Sequence, residues 1–177
     1  MATSSTPQTT PAVQSSSTTR QLLAVFERET AITRKVLSVY PADQAELRPH
    51  PRSRSARELA WMFTTELGLV NLVLQPDFRM PAAPPPAPDA WAEVLSAFEQ
   101  TRTQVLESLR RARDEDLSAM VPFMTGPKQM GEMSRAQIAW FLLHDQIHHR
   151  GQLTVYLRLA GGKVPSIYGP SGDEPWN

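Results

Sequence analysis

The 177-residue chain contains no cysteine. That absence removes disulfides, thiolate metal ligands and a protein-borne thiol nucleophile, so any thiol chemistry needs a thiol supplied from outside. Net charge is missing as well, because 18 Lys and Arg balance 18 Asp and Glu. No electrostatic argument therefore favours DNA, RNA or an anionic membrane as a direct partner. No stretch has the length and uniform apolarity of a membrane span, and the first residues lack the apolar run of a secretory signal. A cytoplasmic location is the expectation. What remains is ordinary: 41% hydrophobic residues in a chain of this length support one domain with one core.

Residues 1–20, rich in Ser, Thr, Pro and Gln, cannot bury enough surface to order themselves and are expected to form a disordered tail. The domain is expected over residues 21–177. Within it, apolar residues recur at helical spacing from Gln21 to Val39, from Ser55 to Leu74, from about Asp89 to the charged run ARDEDL, and from Ser134 to the Gly161–Gly162 pair. Ser55 with Glu58 and Ser134 with Gln137 are capping boxes, and Asp89 is the expected cap of the third helix. A Pro-rich connection, MPAAPPPAPD, joins helices two and three. As polyproline II its roughly fourteen residues span about 40 Å, so helix three is free to start from either end of helix two. Residues 114–133 read as an irregular connection, with no convincing strand pattern. Four amphipathic helices without strands or repeats predict an all-α four-helix bundle, with sites built between facing helices.

The chemistry-bearing residues cluster in LLHDQIHHRGQL. His144 and His148 stand four apart, so their imidazoles project from one helix face within reach of one metal ion. Phe141, His144, His148, Gly151, Val155 and Leu159 follow the spacing of a core stripe, which predicts that this histidine face looks inward. Such a pair either chelates a metal with a third ligand or hydrogen-bonds to a neighbour. His149, about 100° round the helix, is expected on the flank or the solvent side. On helix two, Thr64, Gly68, Asn71 and Gln75 mark a wet side; Leu59, Met62, Phe63, Val70 and Val73 mark a dry one. Glu66 falls in the dry side, where an unpaired carboxylate costs several kcal/mol. A metal shared with the histidines, protonation, an Arg partner or a water-filled pocket would each compensate it. Glu66, His144 and His148 are the candidate metal ligands. Asp145, Gln152 and Tyr156 are candidate neighbours of the site, with Asp145 placed to pair with His149 at i, i+4.

The run HDQIHHRGQLTVYLRLAGGKVPSIYGPSGDE, together with RPHPRSRSARELAW opening helix two, resembles the DinB/YfiT-type bundles, the damage-inducible DinB-like superfamily. The resemblance covers nearly everything after the tail. It implies an up-down-down-up four-helix bundle, a homodimer, and a divalent metal such as zinc or nickel held by three histidines, two of which map onto His144 and His148. The third maps onto Met62, a soft and weak ligand. Glu66, one turn along, is the residue that would replace it. The resemblance also implies a thiol-dependent transferase or hydrolase acting on small molecules with an external low-molecular-weight thiol. The other reading is a non-catalytic small-ligand-binding or stress-response bundle with a degenerate, metal-free site.

Overall fold

The computed structural model describes residues 17–176. Most of the expected disordered tail, residues 1–20, therefore lies outside the described residues. The described chain is mostly helical: α1 (Thr18–Ser38), α2 (Ala56–Val73), α3 (Trp91–Arg111), α4 (Asp114–Ser118) and α5 (Arg135–Leu159), with a two-stranded antiparallel sheet of β1 (Met120–Gly126) and β2 (Gln129–Ser134). Thr18 to Arg20 belong to α1 rather than to a tail. Ser17 caps that helix by accepting from the Arg20 amide, and Asp114 accepts from the amides of Thr18 and Thr19.

Both capping boxes form as their sequences dictate. The Ser55 hydroxyl accepts from the Glu58 amide while the Glu58 carboxylate accepts from the Ser55 amide at 2.7 Å; Ser134 and Gln137 reciprocate at the start of α5. Each box satisfies two amides that no helical carbonyl can reach. Replacing Ser134 with Ala is expected to lower stability by about 1 kcal/mol, read as a lower urea midpoint with an unchanged slope. Asp89 is not the cap of α3: that helix begins at Trp91 after an uncapped Ala90, and Asp89 instead faces Arg57 at 3.8 Å. At the other end of α5, Gly161 adopts φ +76°, and the Gly162 amide bonds back to the Leu157 carbonyl, the left-handed exit that glycine permits.

Side-chain contacts give the directions of the four long helices. Arg102 donates to Thr30 and Arg110 pairs with Glu27, so α1 and α3 run antiparallel. Ser108 donates to Asn71 and Arg57 to the Pro88 carbonyl, so α2 and α3 run parallel. Parallel neighbours need a connection that returns the length of a helix, and the Pro-rich segment provides it, pinned on the way by Trp61 donating to the Pro85 carbonyl. Arg135 donates to the Leu74 carbonyl and Tyr156 to the Arg54 carbonyl, so α2 and α5 are antiparallel. Phe26, Phe63, Phe98, Leu143 and Leu153 fill the core between the helices.

Three expectations are corrected. The connection 114–133 is not irregular: after α4 it forms a hairpin in which Val121 and Phe123 turn inward while Met120 and Met124 face solvent. That alternation is the strand signal; Pro122 and the glycines obscured it. Pro122 is tolerated because a two-stranded sheet leaves one edge of each strand unpaired. Second, Thr64 and Gly68 do not mark a wet side. Thr64 is buried, and a Cβ at Gly68 would stand 4.0 Å from Thr101 of α3, so this stripe of small residues is where α3 approaches α2. Third, the expected inner stripe of α5 is its outer one. Phe141, His144, His148, Gly151, Val155 and Leu159 are all exposed, while Leu142, Gln146, His149, Leu153 and Tyr156 face the core.

Candidate metal centre

The seam between α2 and α5 brings three ionisable side chains together. The inner face of α2 carries Glu66, 5% exposed, with neither carboxylate oxygen hydrogen-bonded. Across from it, the core face of α5 presents His149, whose Nε2 lies 3.4 Å from Glu66 Oε1 and 3.6 Å from Asp145 Oδ2. The imidazole is close enough to attract the carboxylate but is not aligned to donate to it. One ligand atom from each of Glu66, Asp145 and His149 lies within 4.8 Å of the other two, the only such grouping of three among the described residues.

Burial dominates the electrostatics. Desolvation pushes the Glu66 carboxyl up to about 7, against the partial relief that His149 gives it, and the Asp145 carboxylate adds to the rise. The His149 imidazole is pushed up from its ordinary value, first by Glu66 and against its own burial.

Gln152 fixes how the imidazole is presented. Its Oε1 lies 3.3 Å from His149 Nδ1, and its Nε2 lies 2.9 Å from His148 Nε2. The amide assigns the tautomers, since its NH2 donates and its oxygen accepts. In the tautomer with its proton on Nδ1, His149 donates to the Gln152 oxygen and turns its Nε2 lone pair toward Glu66, while the Gln152 NH2 donates to His148 Nε2. An imidazole locked through its far nitrogen is the arrangement that metal-binding histidines adopt.

Of the residues singled out in the sequence, Glu66 lies at the centre, Asp145 and Gln152 border it, and His149 supplies the imidazole that had been expected on the outside. The inward orientation expected for His144 and His148 is corrected. His144 is exposed beside the Trp140 ring, and His148 is exposed, bonds to Gln152 and has its ring centroid 5.5 Å from that of His149. Met62 is half-buried on α2, one turn before Glu66. One signal pointed to His149: Asp145 stands four residues before it, a spacing that pairs the two along a helix.

The DinB family model matches residues 13–176. A relative in Bacillus subtilis, the uncharacterised protein YrdA, is 26% identical over 153 residues, covering 86% of this chain and 89% of its own. The crystal structure of a DinB-like protein from Bacillus cereus superposes with a TM-score of 0.71 at 25% identity, covering 84% of this chain and 97% of that one. Another, from Bacillus subtilis, gives a TM-score of 0.65 at 17% identity over the same shares, which shows a common fold. No helix of the described residues is long and apolar enough to cross a membrane. The chain belongs to the DinB family.

Proposed function

We propose that this protein binds one divalent metal ion on Glu66, Asp145 and His149 and uses it to transform a small molecule, with an external thiol as the favoured co-reactant. The observation that carries this reading is Glu66: a carboxylate buried in an apolar seam with both oxygens unsatisfied, facing an imidazole nitrogen and a second carboxylate. Without a cation, that group must either hold a proton or leave a charge uncompensated. Two carboxylates and one imidazole neutralise a divalent charge and suit Zn2+, of borderline hardness, or the harder Mn2+. Three protein ligands leave coordination positions open, which distinguishes a catalytic from a structural site. When bound, such an ion supplies Lewis acidity that ionises a thiol or water near neutral pH.

The chain's own residues do the positioning. Gln152 holds His149 in the tautomer that presents Nε2, and His148 holds Gln152 from the solvent side. The apolar seam keeps water from Glu66 and from most of the His149 ring, which strengthens the contact between them, while Asp145 stands at the solvent edge of the centre. The contact directions of α1, α2, α3 and α5 support the up-down-down-up four-helix arrangement, and the exposed Phe141, Val155 and Leu159 on α5 support a homodimer.

Titration calorimetry on tag-free, chelator-treated protein with Zn2+ and Mn2+ tests the site. One ion per chain is expected, lost in Glu66→Gln, Asp145→Asn and His149→Ala. Gln152→Ala is expected to weaken uptake about 10- to 100-fold by releasing the imidazole, and His144→Ala to leave it unchanged. Loss that follows His144 and His148 instead would restore the ligand set that the spacing suggests. No uptake by the parent chain would leave the metal-free binding bundle.

A further inference from the structure

A cleft of about 730 Å³ opens on the same seam as the metal centre. Leu59 and Tyr156, which line it, each stand seven residues from Glu66 and His149 on the two antiparallel helices. Seven residues are roughly 10 Å of helix, so cleft and centre lie two turns apart along the seam between α2 and α5. Gln152 belongs to both: it lines the cleft and touches His149. Leu59, Val155 and Tyr156 give the cleft an apolar side, and Arg52 and Arg54 give it a charged one.

Those two arginines stand out by the state of their neighbours. Residues 46–58 hold four arginines against two glutamates. Both glutamates are taken: Glu46 pairs with Arg57 at 2.6 Å and Glu58 with Arg48 at 3.0 Å, while Asp89 also faces Arg57. Among the described residues no carboxylate pairs with Arg52 or Arg54. The start of α2 does not compete for an anion, because its first amides are occupied. Ser55 donates to Glu58, Ala56 to the Leu47 carbonyl, Arg57 to the Ala45 carbonyl, and Glu58 to Ser55. The cleft is thus lined by two arginines without a carboxylate partner, and guanidinium groups are the donors best matched to a carboxylate or phosphoryl group.

We propose that the cleft is the substrate's anchoring subsite, and that the substrate is an oxoanion, a carboxylate or phosphoryl group on an apolar body about 10 Å long, held by Arg52 and Arg54 with its reacting end at Glu66, Asp145 and His149. This assignment of a substrate class rests on the reading of the metal centre. The distance between the two parts sets the length of the molecule, and Gln152 senses whether the cleft is filled.

Phenyl phosphate, 3-phenylpropionate and the neutral 3-phenylpropanol are the probes, titrated into isotopically labelled protein and followed by NMR. Both anions are expected to saturate and to shift the Gln152 side-chain amide, with the tighter of the two naming the head group. The neutral alcohol is expected to bind at least about tenfold more weakly, as loss of charge-assisted hydrogen bonds implies. The Arg52→Gln/Arg54→Gln double variant, changed only at exposed positions, is expected to lose anion affinity by a similar factor while taking up Zn2+ like the parent. Equal binding of alcohol and anions, undiminished anion binding in the double variant, or an unmoved Gln152 amide overturns the proposal. Failure of Zn2+ uptake alone, with anion binding intact, overturns the metal reading and leaves the subsite standing.

Discussion

Arg150→Met is expected to destabilise the fold by about 3–5 kcal/mol, the largest loss from any single substitution outside the hydrophobic core. Arg150 and Glu29 are each 2% exposed, and the guanidinium donates to Glu29 Oε2 at 2.7 Å, to the Glu29 carbonyl at 3.0 Å and to Thr33 Oγ1 at 3.2 Å. Tyr168 touches both members of the pair through its hydroxyl, and Arg28 donates to the second carboxylate oxygen at 3.0 Å. Burial alone would push the Glu29 carboxyl upward, but Tyr168, Arg150 and Arg28 outweigh it and hold it below its ordinary value. A carboxyl lowered in the folded state contributes stability above its unfolded pKa, and that contribution is lost as acid titrates it. Removing Arg150 leaves the buried carboxylate short of its main partner. The double variant Glu29→Leu/Arg150→Met removes both charges and is expected to recover most of the loss. Tyr168→Phe deletes only the hydroxyl and is expected to cost about 1.5–3 kcal/mol, with faster proteolysis of residues 160–176, which Tyr168 ties to α1. Urea midpoints order the variants; a double variant no more stable than Arg150→Met would contradict the ion-pair account.

That same pair explains which parts of the protein were legible in its sequence. Local signals with short-range chemistry are readable: the boxes at Ser55 and Ser134 satisfy amides three residues away, and Gly161 turns the chain where α5 ends. The face of α5 was not readable, because hydropathy assumes that apolar residues go inside. Here the inner face carries Gln146, His149 and Arg150, the last two buried beside Glu66 and Glu29, while Phe141, Val155 and Leu159 are left outside. Arg150 goes inward because its partner is there, and Glu29 is 121 residues away in sequence. The histidine face was therefore placed about 100° off, one residue in register. Glu66 was readable because its own helix is apolar enough to declare it an exception. The hairpin was hidden by Pro122, although Val121 and Phe123 alternate as a half-buried strand should.

Glu66→Leu is expected to abolish metal uptake and yet yield a protein more stable than the chelator-treated parent above neutral pH. The reason lies in the direction of the proton balance. The Glu66 carboxyl titrates near 7 in the fold, against an ordinary 4.5, so between those values the folded protein binds protons that the unfolded chain has released. The Glu66 contribution to stability is then greatest below pH 4.5, falls as pH rises through the window, and levels above about 7. The difference between those two values corresponds to about 3 kcal/mol. His149, raised by Glu66, acts in the same sense: its contribution is present below its unfolded pKa and lost as pH rises through the folded one. Metal works against both, since its ligands must be deprotonated and its affinity climbs with pH. At a free concentration of about 100 times the dissociation constant, it would add about 2.7 kcal/mol. Urea unfolding of the parent in chelator and in Zn2+ should therefore give curves that separate across pH 5–8, whereas the leucine variant should show one curve, nearly flat, in both buffers. Parent stability that holds level through that interval in chelator would mean that Glu66 is charged and compensated without metal, and the case for a cation between α2 and α5 would lose its driving force.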